Sequence, residues 1–328
     1  MRTQKSSNHT ITGIACGMGA GALWGLVFLA PELLRDFSPL QMTIGRYLAY
    51  GVISAILILP VWRKVRARLE RRDWLALAGL AFCGNTLYYI LLSAAIQMGG
   101  IAMTSLIIGF LPVAVTIIGS RDHGAVSLKN LAPSLFLCVA GVVCIAWQGL
   151  AATAHGTLAL RAAGLACAVG ALISWTGYAV GNSRCLARLD GISSHEWSLL
   201  TGCVTGVQSL MLIPLSLMLD KAPHTFFAWS WMAGASVTVA LLASIAGNAL
   251  WNRMSRLLPL TMTGQMILFE TLFALIYGLV WEKRWPSLLE TLAFILVTLS
   301  VLACIATHNR HKADTPNRGI TGNDNGHT

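Results

Sequence analysis

The stretch PLQMTIGRYLAYGVISAILILP (residues 39–60), VWRKVRARLERRD (61–73), WLALAGLAFCGNTLYYILLSAAIQ (74–97) sets two long apolar blocks around a loop carrying Arg63, Lys64, Arg66, Arg68, Arg71 and Arg72. A helix needs about 20 predominantly apolar residues to cross the hydrocarbon core of a bilayer, and each block is that long. Lipid offers no hydrogen-bond partners, so a spanning segment must satisfy its backbone internally. The pair therefore reads as two transmembrane helices joined by a strongly basic loop.

The same pattern extends in both directions. Of 328 residues, 55% are apolar and 11% charged, against about 25% charged in an ordinary soluble domain. Ten apolar blocks qualify as spans: Ile11–Pro31, Pro39–Pro60, Trp74–Gln97, Ile101–Ser120, Leu128–Gly149, Leu160–Ser183, His195–Leu219, Trp229–Leu250, Leu258–Trp281 and Pro286–Thr307. The fold class expected is an all-α integral membrane protein of ten helices. The first block follows Arg2 and Lys5 like a secretory signal, but it is long enough to span and further spans follow, so it is kept as the first helix.

Basic loops tend to stay in the cytoplasm. With ten spans, the loop at 61–73 falls on the same side as both termini, and that side carries 17 Lys and Arg against five opposite, with Arg46 inside the second span. Both termini are expected in the cytoplasm and the protein in a bacterial-type inner membrane, multi-pass. Trp62, Trp74, Trp229, Trp251, Trp281 and Trp285 lie near predicted helix ends, where amphipathic rings anchor at the headgroups.

Composition also bounds function. The net charge of +10 lies between apolar blocks rather than on a soluble face, which argues against nucleic acid. The eight cysteines form no CxxC pair and read as small buried side chains. His308, His311 and His327 make a weak metal signal in what reads as a disordered cytoplasmic tail, 308–328. No metal and no cofactor are expected. No GxxxxGK[ST] loop is present for ATP, and no GxSxG or HExxH for a membrane-embedded enzyme; His195-Glu196 lacks the second histidine.

Slid against itself, the chain echoes. Trp24 and Trp175 each follow a Gly-Ala-Leu tripeptide, and Gly119–Cys144 matches Gly278–Cys304, with Asp122 opposite Glu282 and Ser127 opposite Ser287. A repeat with an odd number of helices inserts its second copy upside down, the plan of many secondary transporters, whose site lies near the midplane between halves. The expected organisation is a first repeat over 1–150 and a second, inverted, over 151–307.

These residues resemble the drug/metabolite transporter superfamily, EamA type: Gly21-Ala22-Leu23-Trp24-Gly25 in the first helix, Ser38-Pro39 and Arg46 in the second, and Trp281-Glu282 ending the ninth. The resemblance covers nearly the whole chain. It implies ten helices in inverted repeats around a central cavity, and export of metabolites, amino acids or toxic compounds, although the superfamily also holds importers. Two departures stand out. Gly119-Ser120-Arg121-Asp122 replaces a glycine-glutamate pair often found ending the fourth helix, and Glu270 stands where the ninth often carries a proline matching Pro112.

Glu270 is the residue that most needs a reason, because a carboxylate inside an apolar helix is costly unless protonated or paired. It reads either as a proton-coupling group or as half of a structural pair with Arg46, Gln265 or Asn85. Arg46 either snorkels to the surface or pairs with an acid, or else holds a substrate carboxylate in its planar fork. The helices that would build a cavity in the family's arrangement add Trp24, Asn85, Tyr88, Tyr89, Trp175, Tyr178 and Asn248. Each also has a plain reading as packing. Gly13, Gly17, Gly21 and Gly25 form a stripe that lets helix backbones approach. Asp122 and Glu282 read as solvated charges, with a gate contact between Glu282 and Arg35 or Lys283 as the alternative. The partners expected are a small solute, the lipid bilayer and protons, and the arrangement is compatible with a homodimer. A non-transporting scaffold or sensor is the remaining class, and no appended signalling domain favours it.

Overall fold

Side chains that close helix ends mark the element starts. Ser38 accepts from the Gln41 amide while the Gln41 side chain accepts from the Ser38 amide, with Pro39 at the first helical position; Ser193 with Glu196 and Ser287 with Glu290 repeat this reciprocal cap. Each satisfies backbone donors that the helix itself leaves open. A computed structural model describes residues 2–34, 36–122, 125–152, 158–220, 223–283 and 285–314. The described residues are helical, with no strand among them.

The helices are α1 (Arg2–Gly25), α2 (Pro39–Arg66), α3 (Arg71–Met98), α4 (101–119), α5 (Leu128–Ala152), α6 (Leu158–Arg188), α7 (Ser194–Leu219), α8 (Phe226–Leu257), α9 (260–282) and α10 (Leu288–Asp314). Six helices are long and apolar enough to cross a membrane within the described residues. Their outward faces carry exposed large apolar side chains such as Val207, Met211 and Leu217 on α7, as expected where lipid is the solvent.

Four details differ from the sequence expectation. Helical hydrogen bonding is assigned unbroken over Tyr88–Ile108, through Gly99-Gly100, and the interruption falls at 109–110 ahead of Pro112. The chain has nevertheless turned back between the start of α3 and the end of α4, because Asp73 and Asp122 pair with Arg188 and Arg184, one turn apart on α6. The last helix continues to Asp314, so His308 belongs to a helix; it is buried, with its Nε2 2.7 Å from Thr261 Oγ1. His327 and the rest of the expected tail beyond Asp314 lie outside the described residues. Finally, Trp251 is no interfacial anchor. It is 1% exposed and packs in the core.

Contacts give the helix directions. Gly51 of α2 meets Gly206 of α7, and Ser54 meets Gly202. In α4 and α9, Gly119 faces Leu260 and Val115 faces Gly264. Ser300 of α10 donates to the Ser134 carbonyl of α5, and Val297 packs on Gly141. In each pair the numbers rise on one helix as they fall on the other, so α2 with α7, α4 with α9 and α5 with α10 run antiparallel. The glycine stripe of α1 packs against α8 and α9. A Cβ at Gly21 would lie 2.7 Å from the Glu270 backbone nitrogen, so only a glycine allows that approach.

Candidate functional site

Two helices lose their regular turn where they pass the middle of the bundle. Phe82–Leu87 in α3 and Ala240–Gly247 in α8 are π-helical, a widened turn that frees carbonyls from their usual partners and recurs at functional sites. The freed groups are used across the molecule. The Cys83 carbonyl accepts from Ser174 Oγ of α6 at 2.8 Å, and the Ala243 carbonyl accepts from Trp24 Nε1 of α1 at 3.0 Å. Each region contains a Gly-Asn pair whose amide crosses to another helix: Asn85 donates to Thr205 Oγ1 of α7 at 3.1 Å, and Asn248 donates to the Tyr50 hydroxyl of α2 at 3.4 Å. Thr205 and Tyr50 directly precede Gly206 and Gly51, the glycines at the α2–α7 crossing.

Between these helices lies a cavity lined by Trp24, Arg46, Asn85, Tyr88, Tyr89, Trp175, Tyr178, Asn248 and Glu270, with Tyr47, Gly84 and Ser93. The centre of a water molecule can move through about 60 Å³ of it, room for a few waters. One wall is aromatic: Trp24 and Trp175 meet edge to face at 6.1 Å, and each lies 5.2 Å from Trp251.

Arg46 points inward rather than to the surface. Its guanidinium carbon lies 5.0 Å from the Tyr47 ring centre and 4.9 Å from that of Tyr89, and its Nε donates to Ser244 Oγ at 3.2 Å. Two aromatic faces suit a cation that has left water. Among the described residues no carboxylate lies within 4 Å of it, so neither snorkelling nor an acid pair describes it. Glu270 lines the same cavity with no ion pair to Arg46. The alternative partners are committed elsewhere, Asn85 to Thr205 as above and Gln265 in a separate cluster.

Gln265, a site candidate on sequence, does not reach the cavity. Its side chain is fully buried between α4, α9 and α10, donating to Thr116 Oγ1 and accepting from Ser300 Oγ. Asp122 pairs with Arg184 at 2.9 Å on the surface. The side chain of Glu282 and all of Arg35 lie outside the described residues, and with them the expected gate contact. Sequence reasoning missed Tyr47, Ser244 and Trp251. Tyr47 had the signal of adjacency to Arg46; Ser244 had none, because its place depends on the π-turn. Among the described residues no three His, Cys, Asp or Glu side chains gather as a metal site.

A model of the EamA-like transporter family matches residues 11–147. The chain is 30% identical over 323 residues to the inner membrane protein YtfF of Escherichia coli K12, covering 90% of this chain and 95% of that protein. The chain belongs to the EamA-like transporter family. An uncharacterized transporter of Archaeoglobus fulgidus is 26% identical over 236 residues, 70% of this chain and 75% of that one. A solved crystal structure superposes with a TM-score of 0.69 at 15% identity, covering 89% of this chain and 98% of the other, a likeness of fold alone. Membership makes this EamA-like protein a membrane transporter, and it gives the central cavity a context that geometry alone does not.

Proposed function

We propose that this protein is a secondary transporter exporting a small metabolite, amino acid or drug-like solute across the inner membrane by alternating access. On this reading 1–150 and 151–307 are inverted five-helix repeats, both termini are cytoplasmic, and the solute binds in the cavity. The observation that carries it is a cavity, shared by helices of both sequence halves, in which a guanidinium and a carboxylate face the same space without neutralising each other.

Inversion is supported by contacts that come in matched pairs. Asn85 to Thr205 and Asn248 to Tyr50 have the same form with the halves exchanged, as do Cys83 with Ser174 and Ala243 with Trp24. A two-fold axis in the membrane plane near the Gly51–Gly206 contact would generate each from its mate. The inner-membrane assignment is supported by the name of the Escherichia coli relative and by the basic loops.

In this mechanism Arg46 holds an anionic group of the solute and Glu270 exchanges a proton during the cycle. A carboxylate away from water has to be neutralised by a proton or a cation, so proton and solute can alternate beside it. The test begins with export. The protein is expressed in a host stripped of its own exporters, and resistance and extracellular metabolites are profiled to find a transported solute. Proton-driven uptake of that solute is then measured in vesicles. Glu270→Gln should lower the proton-driven component at least tenfold while leaving exchange of solute for solute. Unchanged proton-driven uptake in that variant overturns the proton role, and absence of flux for every solute in the wild type overturns the transporter reading.

A further inference from the structure

At the end of the bundle where the N-terminus lies, α5 and α10 separate. Deeper in, they touch at Gly141 with Val297 and at Ser134 with Ser300. Toward the end, Pro133 stands inside α5, which continues through it, and the small Ala303 lines the same groove from α10, a space of about 470 Å³. Pro133 has no N–H, so the Lys129 carbonyl lacks its usual helical donor. The rim is polar: Asn130 from α5, and Thr307, Arg310 and His311 from α10. Among the described residues no acidic side chain lines it.

The exposed Arg310 guanidinium makes no ion pair among the described residues, and Lys129 is exposed beside Asn130. Asn130 lies in the first turn of α5; its own backbone amide donates to the Ser127 carbonyl, and its side chain lines the groove. Thr307 already donates to the Ala303 carbonyl, so it offers a bound group an acceptor. Depth decides what kind of anion fits. Phe136, just over two turns into α5, is 73% exposed, and Leu302, about two turns back along α10, is 55% exposed; large apolar side chains this exposed suit acyl chains. The groove therefore opens at headgroup level, directly above lipid.

We propose that this groove binds a phosphate group, supplied by the headgroup of an anionic phospholipid. Arg310 grips the phosphate with its fork of donors, Asn130 adds its amide, and the Lys129 carbonyl takes a headgroup hydroxyl. Basic pockets between transmembrane helices hold anionic headgroups in this way.

The experiment uses the full-length protein in mild detergent, read by native mass spectrometry and thermal unfolding. Phosphatidylglycerol, phosphatidylcholine and inorganic phosphate are added separately. Phosphatidylglycerol should bind at one per chain and raise the unfolding temperature, whereas phosphatidylcholine should do neither. Arg310→Ala should weaken that binding at least tenfold, and Arg310→Lys, which keeps charge but loses the fork, should weaken it less. Arg121→Ala, at the same end but outside the groove, should leave it unchanged. Equal losses in the Arg310 and Arg121 variants, or none in either, overturn the proposal as diffuse attraction. Stabilisation by inorganic phosphate that depends on Arg310, with no preference for phosphatidylglycerol, overturns the lipid source and leaves a soluble anion. Should Arg310→Ala fail to fold, the Arg310→Lys and Arg121→Ala comparison decides alone.

Discussion

At the end of the bundle where the N-terminus lies, charged and amide groups tie four helices together. Arg188 of α6 meets Asp73 of α3 at 2.6 Å, and Arg256 of α8 donates to the carbonyls of Leu189 and Ile192 in the turn between α6 and α7. Below them Asn182 of α6 donates to Asn252 of α8 and accepts from Trp197 of α7, both at 2.8 Å. The opposite end is aromatic. Phe37 stacks on His224 at 4.3 Å and meets Trp229 at 5.2 Å, while Trp231 donates to the Leu33 carbonyl. Among the described residues no ion pair is formed there. The first end is held by directional bonds between named groups; the second is held mostly by ring contacts, which depend less on direction. The cavity sits past the tryptophan layer from the bonded end.

The comparison fails if the two ends respond alike. The largest effect is expected from Asn182→Ala, which leaves the buried Trp197 N–H and the Asn252 amide without partners. A buried polar group left unsatisfied costs about 1–3 kcal/mol, so a loss of about 2–3 kcal/mol should appear as a clear fall in unfolding temperature. Next comes Arg188→Ala. Its partner Asp73 is only 6% exposed while Arg188 is 41% exposed, so water screens part of the interaction and about 1–2 kcal/mol is expected. Thiol labelling of Cys185, one turn away on α6, should quicken as this end loosens. In a double-mutant cycle with Asp73→Asn the two losses should not add, and full additivity would show that the pair carries nothing. The smallest effect, under about 0.5 kcal/mol, is expected from Trp231→Phe, which removes one exposed hydrogen bond at the aromatic end. A larger effect there than at Asn182 would reverse the assignment of the more firmly bonded end.

The spans were legible because apolar length is a direct demand of the bilayer, and Arg46 and Glu270 stood out because charge inside a span is rare. Both line the cavity. What pairing they make was not legible, since it depends on rotamers and on Tyr47, Tyr89 and Ser244 arriving from three helices. The π-turns left no mark in hydropathy; they change hydrogen-bond register and not composition. Trp251 was misplaced for a related reason. Closeness to the predicted end of the eighth span, Leu250, stood in for depth, but a helix that leans inward can bury a ring close to its end. Gln265 was read as a site candidate and partner for Glu270 because polarity within a span signals a polar partner, and its partners are Ser300 and Thr116 in a different cluster.

The pairing of α2 with α7, α4 with α9 and α5 with α10 has a consequence for how the chain is made. The Ser134–Ser300 bond spans 166 residues and the Tyr50–Ser198 bond 148, so the first five helices enter the bilayer before their partners exist. At about 5–20 residues per second, they wait on the order of 10–30 seconds with polar side chains such as Asn85, whose partner Thr205 is not yet made. Biogenesis of this protein is thus a holding problem as much as an insertion problem. A ribosome stalled within α6 would leave a half-protein whose exposed polar groups mark it for chaperones and quality-control proteases.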